Sequence, residues 1–239
     1  MPPRGTLPSP FVPDAPSIKR TPRTWVVYGG PDTLPGSLDE IGRSGGGPVR
    51  WFVTDPTHAD EAAAEQHGLK PERDVLQLRR PLPVDEPAPA IPVRAFVPGE
   101  DEVEWIEVNN HAFATHPEQG AWTLADIAVR ESEPWFDPSG FLLHHDVDTG
   151  ALAGFVWTKV HDHVSPALGE IYVIGVDPRF QGRGLGRTLT LVGLDWLHRV
   201  RGIDHGMLYV DATNAPAIAM YTRLGFAVHH TDRAFVGEA

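Results

Sequence analysis

A mixed α/β fold is what this sequence predicts, and three observations carry the prediction. Short runs rich in β-branched and aromatic residues alternate with stretches of helical spacing. A glycine-rich turn, Gln181-Gly-Arg-Gly-Leu-Gly-Arg187, comes after one such run and opens a long helical stretch. Length and composition agree: 239 residues, 41% hydrophobic and 22% charged, suit one large domain or two small ones. They argue for a packed core rather than wholesale disorder.

Taken in order, Thr24–Tyr28 and Val49–Thr54 read as strands, with or without a short helix between them. Asp60–His67 reads as a helix that Gly68 stops, and Val75–Arg79 as a further strand. Roughly 70 residues bury only a modest core, so this front portion must lean on the remainder of the chain. Of the 24 prolines, 18 fall within residues 1–100, which sets the front apart from the rest. The densest stretch, Pro81-Leu-Pro-Val-Asp-Glu-Pro-Ala-Pro-Ala-Ile-Pro92, can continue neither a helix nor a central strand and reads as an extended linker. Residues 1–23 are expected to be a flexible Pro-rich tail, 24–83 a partial subdomain, 84–92 the linker and 93–239 the main domain.

In that main part, Asp101–Ala114, with Val103, Ile106 and Phe113, and Leu124–Ser132 read as helices. Phe141–His145, Ala151–Val160 and Glu170–Val176 read as strands. The helix from Gly184 to Arg199 carries Leu185, Leu189, Val192 and Trp196 at helical spacing. Strand Met207–Val210, helix Pro216–Leu224 and strands Phe226–His229 and Arg233–Val236 complete the order.

Composition excludes several functions. With no cysteine there is no disulfide framework, thiolate zinc site, redox CxxC or cysteine nucleophile. A net charge of −12 argues against a nucleic-acid footprint. The first 23 residues lack the apolar core of a signal peptide, and no apolar run approaches the roughly 20 residues of a membrane span. A cytoplasmic location, no membrane partner and a monomeric state are the expectations.

The turn before the long helix is the natural anion site. Glycines let the backbone approach a ligand, and the amides at a helix start point outward along a favourable dipole. Arg179, Arg183 and Arg187 add positive charge there. A P-loop is excluded because no Lys-Ser/Thr comes after the glycines, and a dinucleotide fingerprint fails because its last glycine position, counted from Gly182, is Arg187. The pattern is Gln181-x-x-Gly184-x-Gly186, with Asn214-Ala-Pro-Ala-Ile-Ala-Met-Tyr221 and Leu224-Gly-Phe226 downstream.

These two motifs, in this order, resemble the acetyl-CoA loop and second motif of the GCN5-related N-acetyltransferase (GNAT) superfamily. That implies a central, mostly antiparallel mixed sheet flanked by helices. More specific strings are Asn109-Asn-His-Ala-Phe-Ala-Thr-His-Pro-Glu-Gln-Gly120, Pro134-Trp-Phe-Asp-Pro-Ser-Gly140, Trp157-Thr-Lys-Val-His161 and Gly169-Glu-Ile-Tyr-Val-Ile-Gly-Val-Asp-Pro178. From Ile91 onward they resemble the mycothiol synthase family, whose members carry two tandem GNAT domains and acetylate the cysteinyl amine of cysteinyl-glucosaminyl-inositol. Residues 50–82 resemble only the closing half of the family's first domain, so its first glycine loop and opening helices have no counterpart, and the acceptor is left open.

The resemblance implies acetyl-CoA contacts at Ile174, Gly175, Val176, Gln181, Gly182, Arg183, Gly184, Leu185, Gly186, Arg187, Asn214, Ala215, Pro216, Ala217, Ile218 and Ala219. It implies substrate contacts at Glu118, Lys159, Glu170 and Tyr209, with Glu170 as general base and Tyr221 as the acid that protonates the departing thiolate. The residues themselves are compatible with this. Strand alternation sets Glu170, Tyr172, Ile174 and Val176 on one face, and Tyr221 lies two helical turns beyond Asn214. Each also has a structural reading: an ion-paired Glu170 at a strand start, a core Tyr221, an ordinary strand Tyr209, a solvated Lys159, a solubilising Glu118. His161-Asp-His163 offers two imidazoles without an evident third ligand, so no metal is expected. Two rivals remain, an N-acetyltransferase for another small amine and a non-catalytic acetyl-CoA sensor. Retention of both Glu170 and Tyr221 disfavours the sensor.

Overall fold

The computed structural model describes residues 16–21, 24–114 and 120–239. The front portion forms β1 (Ser17–Arg20), β2 (Trp25–Tyr28), α1 (Leu34–Arg43), β3 (Pro48–Thr54), α2 (His58–Gln66) and β4 (Lys70–Pro81). A two-residue strand β5 (Arg94–Ala95) leads into α3 (Glu102–Ala112), α4 (Leu124–Glu131), β6 (Phe141–His145), β7 (Leu152–His161) and β8 (Leu168–Val176). Then come α5 (Leu185–Arg199), β9 (His205–Asp211), α6 (Ala215–Arg223) and β10 (Ala227–Glu238). The short helix between the first two expected strands is present as α1. Ser17–Arg20, expected within a flexible tail, instead pairs antiparallel with β2.

Among the described residues all ten strands join one sheet in the order β1-β2-β3-β10-β4-β9-β8-β7-β6-β5. The expected linker therefore does not separate two sheets: β10 lies between β3 and β4, antiparallel to both. The two strands expected at Phe226–His229 and Arg233–Val236 are one strand, interrupted by register shifts at Val228/His230 and Ala234/Phe235.

Helices cover the sheet on both sides. Leu189, Leu191, Leu194 and Leu197 of α5 and Tyr221 of α6 pack on Leu78, Val156, Ile171 and Leu208. On the same side, Leu34 and Ile41 of α1 and Ala64 of α2 pack on Val27, Trp51 and Phe235. The other side, over β6–β8, holds an aromatic cluster beneath α3 and α4. Its centre is Trp105, fully buried, which meets Trp122, Phe141, Phe155 and Trp157 edge-on at 5.4–5.8 Å. Such pairs each contribute about 0.5–1.5 kcal/mol beyond their buried area. Among the described residues no helix is long and apolar enough to cross a membrane.

Two expected faces are corrected by the packing. In α5 the buried set is Leu189, Thr190, Leu191, Gly193, Leu194 and Leu197, while Leu185, Val192 and Trp196 are half-buried at its border. In β8, Trp157 pairs with Val173 but Thr158 pairs with Ile171, leaving Tyr172 as the extra residue of a bulge. The bulge resets the alternation. Tyr172 and Val173 both join the aromatic cluster, whereas Ile171, Ile174 and Val176 face α5. Glu170 and Tyr172 thus do not share a face with Ile174 and Val176.

Candidate active site

The site is built where two neighbouring strands part. β8 and β9 run parallel and pair only at Gly169–Gly206, Glu170–Met207 and Ile171–Leu208. Both strands then continue, to Val176 and Asp211, with no further pairing between them among the described residues. The two strands thus form a fork, and Glu170 stands at its base.

Glu170 is 2% exposed. Its carboxylate lies 2.7 Å from Nε2 of His161, itself buried at the end of β7. Lys159 is the cross-strand partner of Glu170. Its ammonium sits over the rings of Trp135 and Tyr172, at 4.5 and 5.5 Å from their centroids. Burial pushes the Lys159 ammonium below its ordinary range, and the Glu170 charge partly opposes that. Tyr209 of β9 accepts a hydrogen bond from Gln77 Nε2 at 2.7 Å. Burial first, then the Glu170 charge, pushes the Tyr209 phenol strongly upward. Beside this group is a cavity of about 600 Å³ lined by Trp135, Phe136, Lys159, His161, His163 and Arg201, among others.

The glycine loop comes directly after β8. Asp177 caps the single turn at Pro178–Phe180 by accepting from the Arg179 amide at 2.8 Å and gripping its guanidinium at 2.9 Å. Those Arg179 hydrogen bonds hold the Asp177 carboxyl below its usual range. Gln181 Nε2 donates to the Val176 carbonyl at 3.1 Å, closing the turn. Gly182 and Gly184 both have φ of +78°, a region only glycine enters freely, and a Cβ on either would meet open space. The helix start at Leu185 is therefore approachable, with the leading amides of α5 left over for a ligand.

The arginines of this loop are less free than their spacing suggests. Arg179 is held by Asp177, Arg183 lies 3.6 Å from Asp146, and Arg187 pairs with Glu86. Arg179 and Arg183 keep about 60% of their side-chain surface exposed, so both remain within reach of an arriving anion.

Asn214 caps α6, its side-chain oxygen accepting from the Ala217 amide at 3.2 Å. Pro216 fits the first turn, where no amide is needed. A Cβ on Gly186 would lie 4.0 Å from Met220 Sδ, so the start of α5 lies beside the second half of α6. Tyr221 is 6% exposed, edge-on to Phe226 at 5.7 Å, and burial pushes its phenol up to about 12. It belongs to the α5-side core, while the charged neighbours of Glu170 lie on β7–β9.

The structure gathers Glu170, Lys159 and Tyr209 at one place, and apart from them it sets Gly186 of the loop beside Met220 of α6. Glu118 lies outside the described residues. Sequence reading passed over His161 as a site residue, although Trp157-x-Lys159-x-His161 already put Lys159 and His161 on one strand face. His161 and His163 have ring centroids 5.7 Å apart, and the described residues contain no cluster of three or more metal-type ligands. Gln77 carried no sequence signal, because its role depends on strand order.

This combination of parted parallel strands, an open glycine loop at a helix start and an Asn-capped second helix defines an acyl-CoA-handling fold. The model of the acetyltransferase (GNAT) family matches residues 104–226, and the chain belongs to that family. Among its relatives are proteins named mycothiol acetyltransferase. The one from Salinispora arenicola is 50% identical over 200 residues, covering 78% of this chain and 65% of that protein. The one from Mycolicibacterium gilvum is 48% identical over 202 residues, covering 82% and 66%. The chain thus spans just under two thirds of the length of these curated relatives. Two solved structures share the fold. A GCN5-related N-acetyltransferase from Sphaerobacter thermophilus has a TM-score of 0.67 at 24% identity, covering 90% of this chain and 72% of that one. A tandem GNAT protein from the clavulanic acid biosynthesis pathway has a TM-score of 0.67 at 17% identity, covering 90% and 75%.

Proposed function

We propose that the chain is an acetyl-CoA-dependent N-acetyltransferase that acetylates the cysteinyl amine of cysteinyl-glucosaminyl-inositol. The observation that carries this reading is a carboxylate, Glu170, buried at the base of the β8–β9 fork with Lys159 and Tyr209 around it. The identity of about 50% to mycothiol acetyltransferases supports the choice of acceptor.

The residues fit acetyl-CoA. The open positions around Gly182 and Gly184 and the α5 amides would hold its pyrophosphate, with Gln181, Arg183 and Arg187 around them. The β8 edge at Ile174–Val176, beyond its pairing with β9, and the start of α6 at Asn214–Ala219 would flank the rest. Bound acetyl-CoA supplies an activated thioester. Glu170, directly or through water, accepts the proton of the acceptor amine. Backbone N–H groups near Gly175 and Val176 suit an oxyanion. Tyr221, whose phenol stays protonated across the working range, holds the proton for the leaving sulfur. With no cysteine in the chain, direct transfer to the amine is the simplest course.

A second reading is another small amine as acceptor, since the family model that matches specifies acetyl transfer and no particular amine. Thiol release from acetyl-CoA, monitored with cysteinyl-glucosaminyl-inositol and then with a panel of amines, separates the two. Preference for a different amine sinks the first. Tight CoA binding with no turnover sinks both.

A further inference from the structure

The front segment of the chain reaches into the site through one side chain. β4 lies antiparallel to β9, with Gln77 opposite Tyr209. Gln77 is 1% exposed. Arg79, two residues on and on the same face, donates from Nε to Gln77 Oε1 at 2.6 Å, and Gln77 Nε2 donates to the Tyr209 hydroxyl oxygen at 2.7 Å.

The sense of this chain of hydrogen bonds is forced. A guanidinium N–H can only donate, so the oxygen end of the Gln77 amide must face Arg79 and its NH2 end must face Tyr209. Reversing the amide would set donor against donor. The Tyr209 oxygen is therefore an acceptor toward Gln77, and its own O–H must find a lone pair elsewhere. Met207, two residues before Tyr209 on the same face of β9, is the sheet partner of Glu170, so that face leads straight to the carboxylate.

We infer that Gln77 is a positioning residue that, locked by Arg79, sets Tyr209 to donate its hydroxyl proton to an oxygen of the acceptor substrate. The inference rests on reading Tyr209 as an acceptor contact. It also gives the partial front segment a function: β4 contributes the group that orients a binding residue on β9.

Substitutions at Gln77 separate orientation from packing. Gln77→Glu can only accept, so it keeps Arg79 and draws the Tyr209 proton onto itself. The KM for the acceptor should rise roughly three- to tenfold, the scale of one lost hydrogen bond, while the KM for acetyl-CoA stays within about twofold. Gln77→Met removes both hydrogen bonds but leaves the Tyr209 proton free to donate, so its acceptor KM should rise less than that of Gln77→Glu. Arg79→Met, which frees the amide to reverse, should raise the acceptor KM in the same direction and serves if Gln77→Glu does not fold. In a Tyr209→Phe background the Gln77→Glu change should add nothing. Equal effects of the Glu and Met variants, an unchanged acceptor KM in Gln77→Glu, or an effect that persists in the Tyr209→Phe background would each overturn the inference. If Tyr209→Phe alone leaves the acceptor KM unchanged, it is the reading of Tyr209 that fails.

Discussion

Glu170→Gln is the substitution that bears most directly on the proposed chemistry. The amide keeps the shape of a side chain that is 2% exposed, and its oxygen can still accept from His161 Nε2, 2.7 Å away in the parent. Folding should therefore persist, with an unchanged acetyl-CoA affinity. What is lost is proton acceptance, and positioned bases contribute about 10²–10⁴-fold. The lower end is expected here, because a cysteinyl α-amine with a pKa of about 7.7–8.0 is already roughly a tenth to a sixth neutral at pH 7. A hundredfold fall in kcat corresponds to about 2.7 kcal/mol. The variant should also regain about five- to eightfold in rate between pH 7 and 8.5, as the amine deprotonates without help. Thiol release at saturating acetyl-CoA, repeated across that pH range, measures both quantities. Total loss of turnover in a folded, CoA-binding variant would refute the argument that the amine needs little help. A rate equal to the parent at pH 7 would refute Glu170 as base.

Other outcomes are set by the same geometry. Tyr221→Phe should slow turnover without changing acetyl-CoA binding. Because the phenol is pushed up to about 12, the parent rate should show no basic limb from this group below that pH, and a limb near 10 that vanishes in the variant would contradict the burial argument. Gly140→Ala should destabilise the fold by about 1–3 kcal/mol in urea titration, since its Cβ would lie 2.6 Å from the Trp196 ring and 2.4 Å from Thr158 Oγ1. Asp101 accepts from Arg94 at 2.6 and 2.7 Å and from the Val97 amide at 2.7 Å. The Arg94 hydrogen bonds hold its carboxyl below the ordinary value, so its contribution is full above about pH 3.9 and is lost as pH falls through the depressed folded value. Asp101→Asn should cost about 1.5–3 kcal/mol at pH 7 and flatten acid unfolding below pH ~4; an unchanged acid slope would exclude the pair as its source.

The elements with local signatures were readable from the chain itself. Gly182 and Gly184 announce a turn that only positive φ can make, and Asn214 with Pro216 two residues on announces a capped helix. The faces and neighbours were harder. Alternation along Glu170–Val176 assumes an unbroken pleat, and the bulge at Tyr172 is marked by neither glycine nor proline. The contact between His161 and Glu170 depends on register, and that between Gln77 and Tyr209 on which strand stands beside which. Such pairings between distant strands leave no periodic trace in either segment. The buried face of α5 was displaced for a related reason: leucines recur all round the helix, and Gly193 is buried only because Ile171 and Val156 press close to it.

The position of β10 has a consequence for how the chain reaches this state. Thr54 Oγ1 donates to Asp232 across 178 residues of sequence, and β3 and β4 meet only through the strand between them. During synthesis both strands emerge early, yet neither can be satisfied on its inner edge until residues 227–238 arrive. For that interval two apolar strands, Val49–Val53 and Val75–Leu78, carry open hydrogen-bonding edges, the arrangement most prone to wrong pairing. High sequence separation of this kind slows folding. Loss of β10 would therefore open the centre of the sheet rather than trim its rim, and a nascent chain halted before residue 227 should be a client for holding factors.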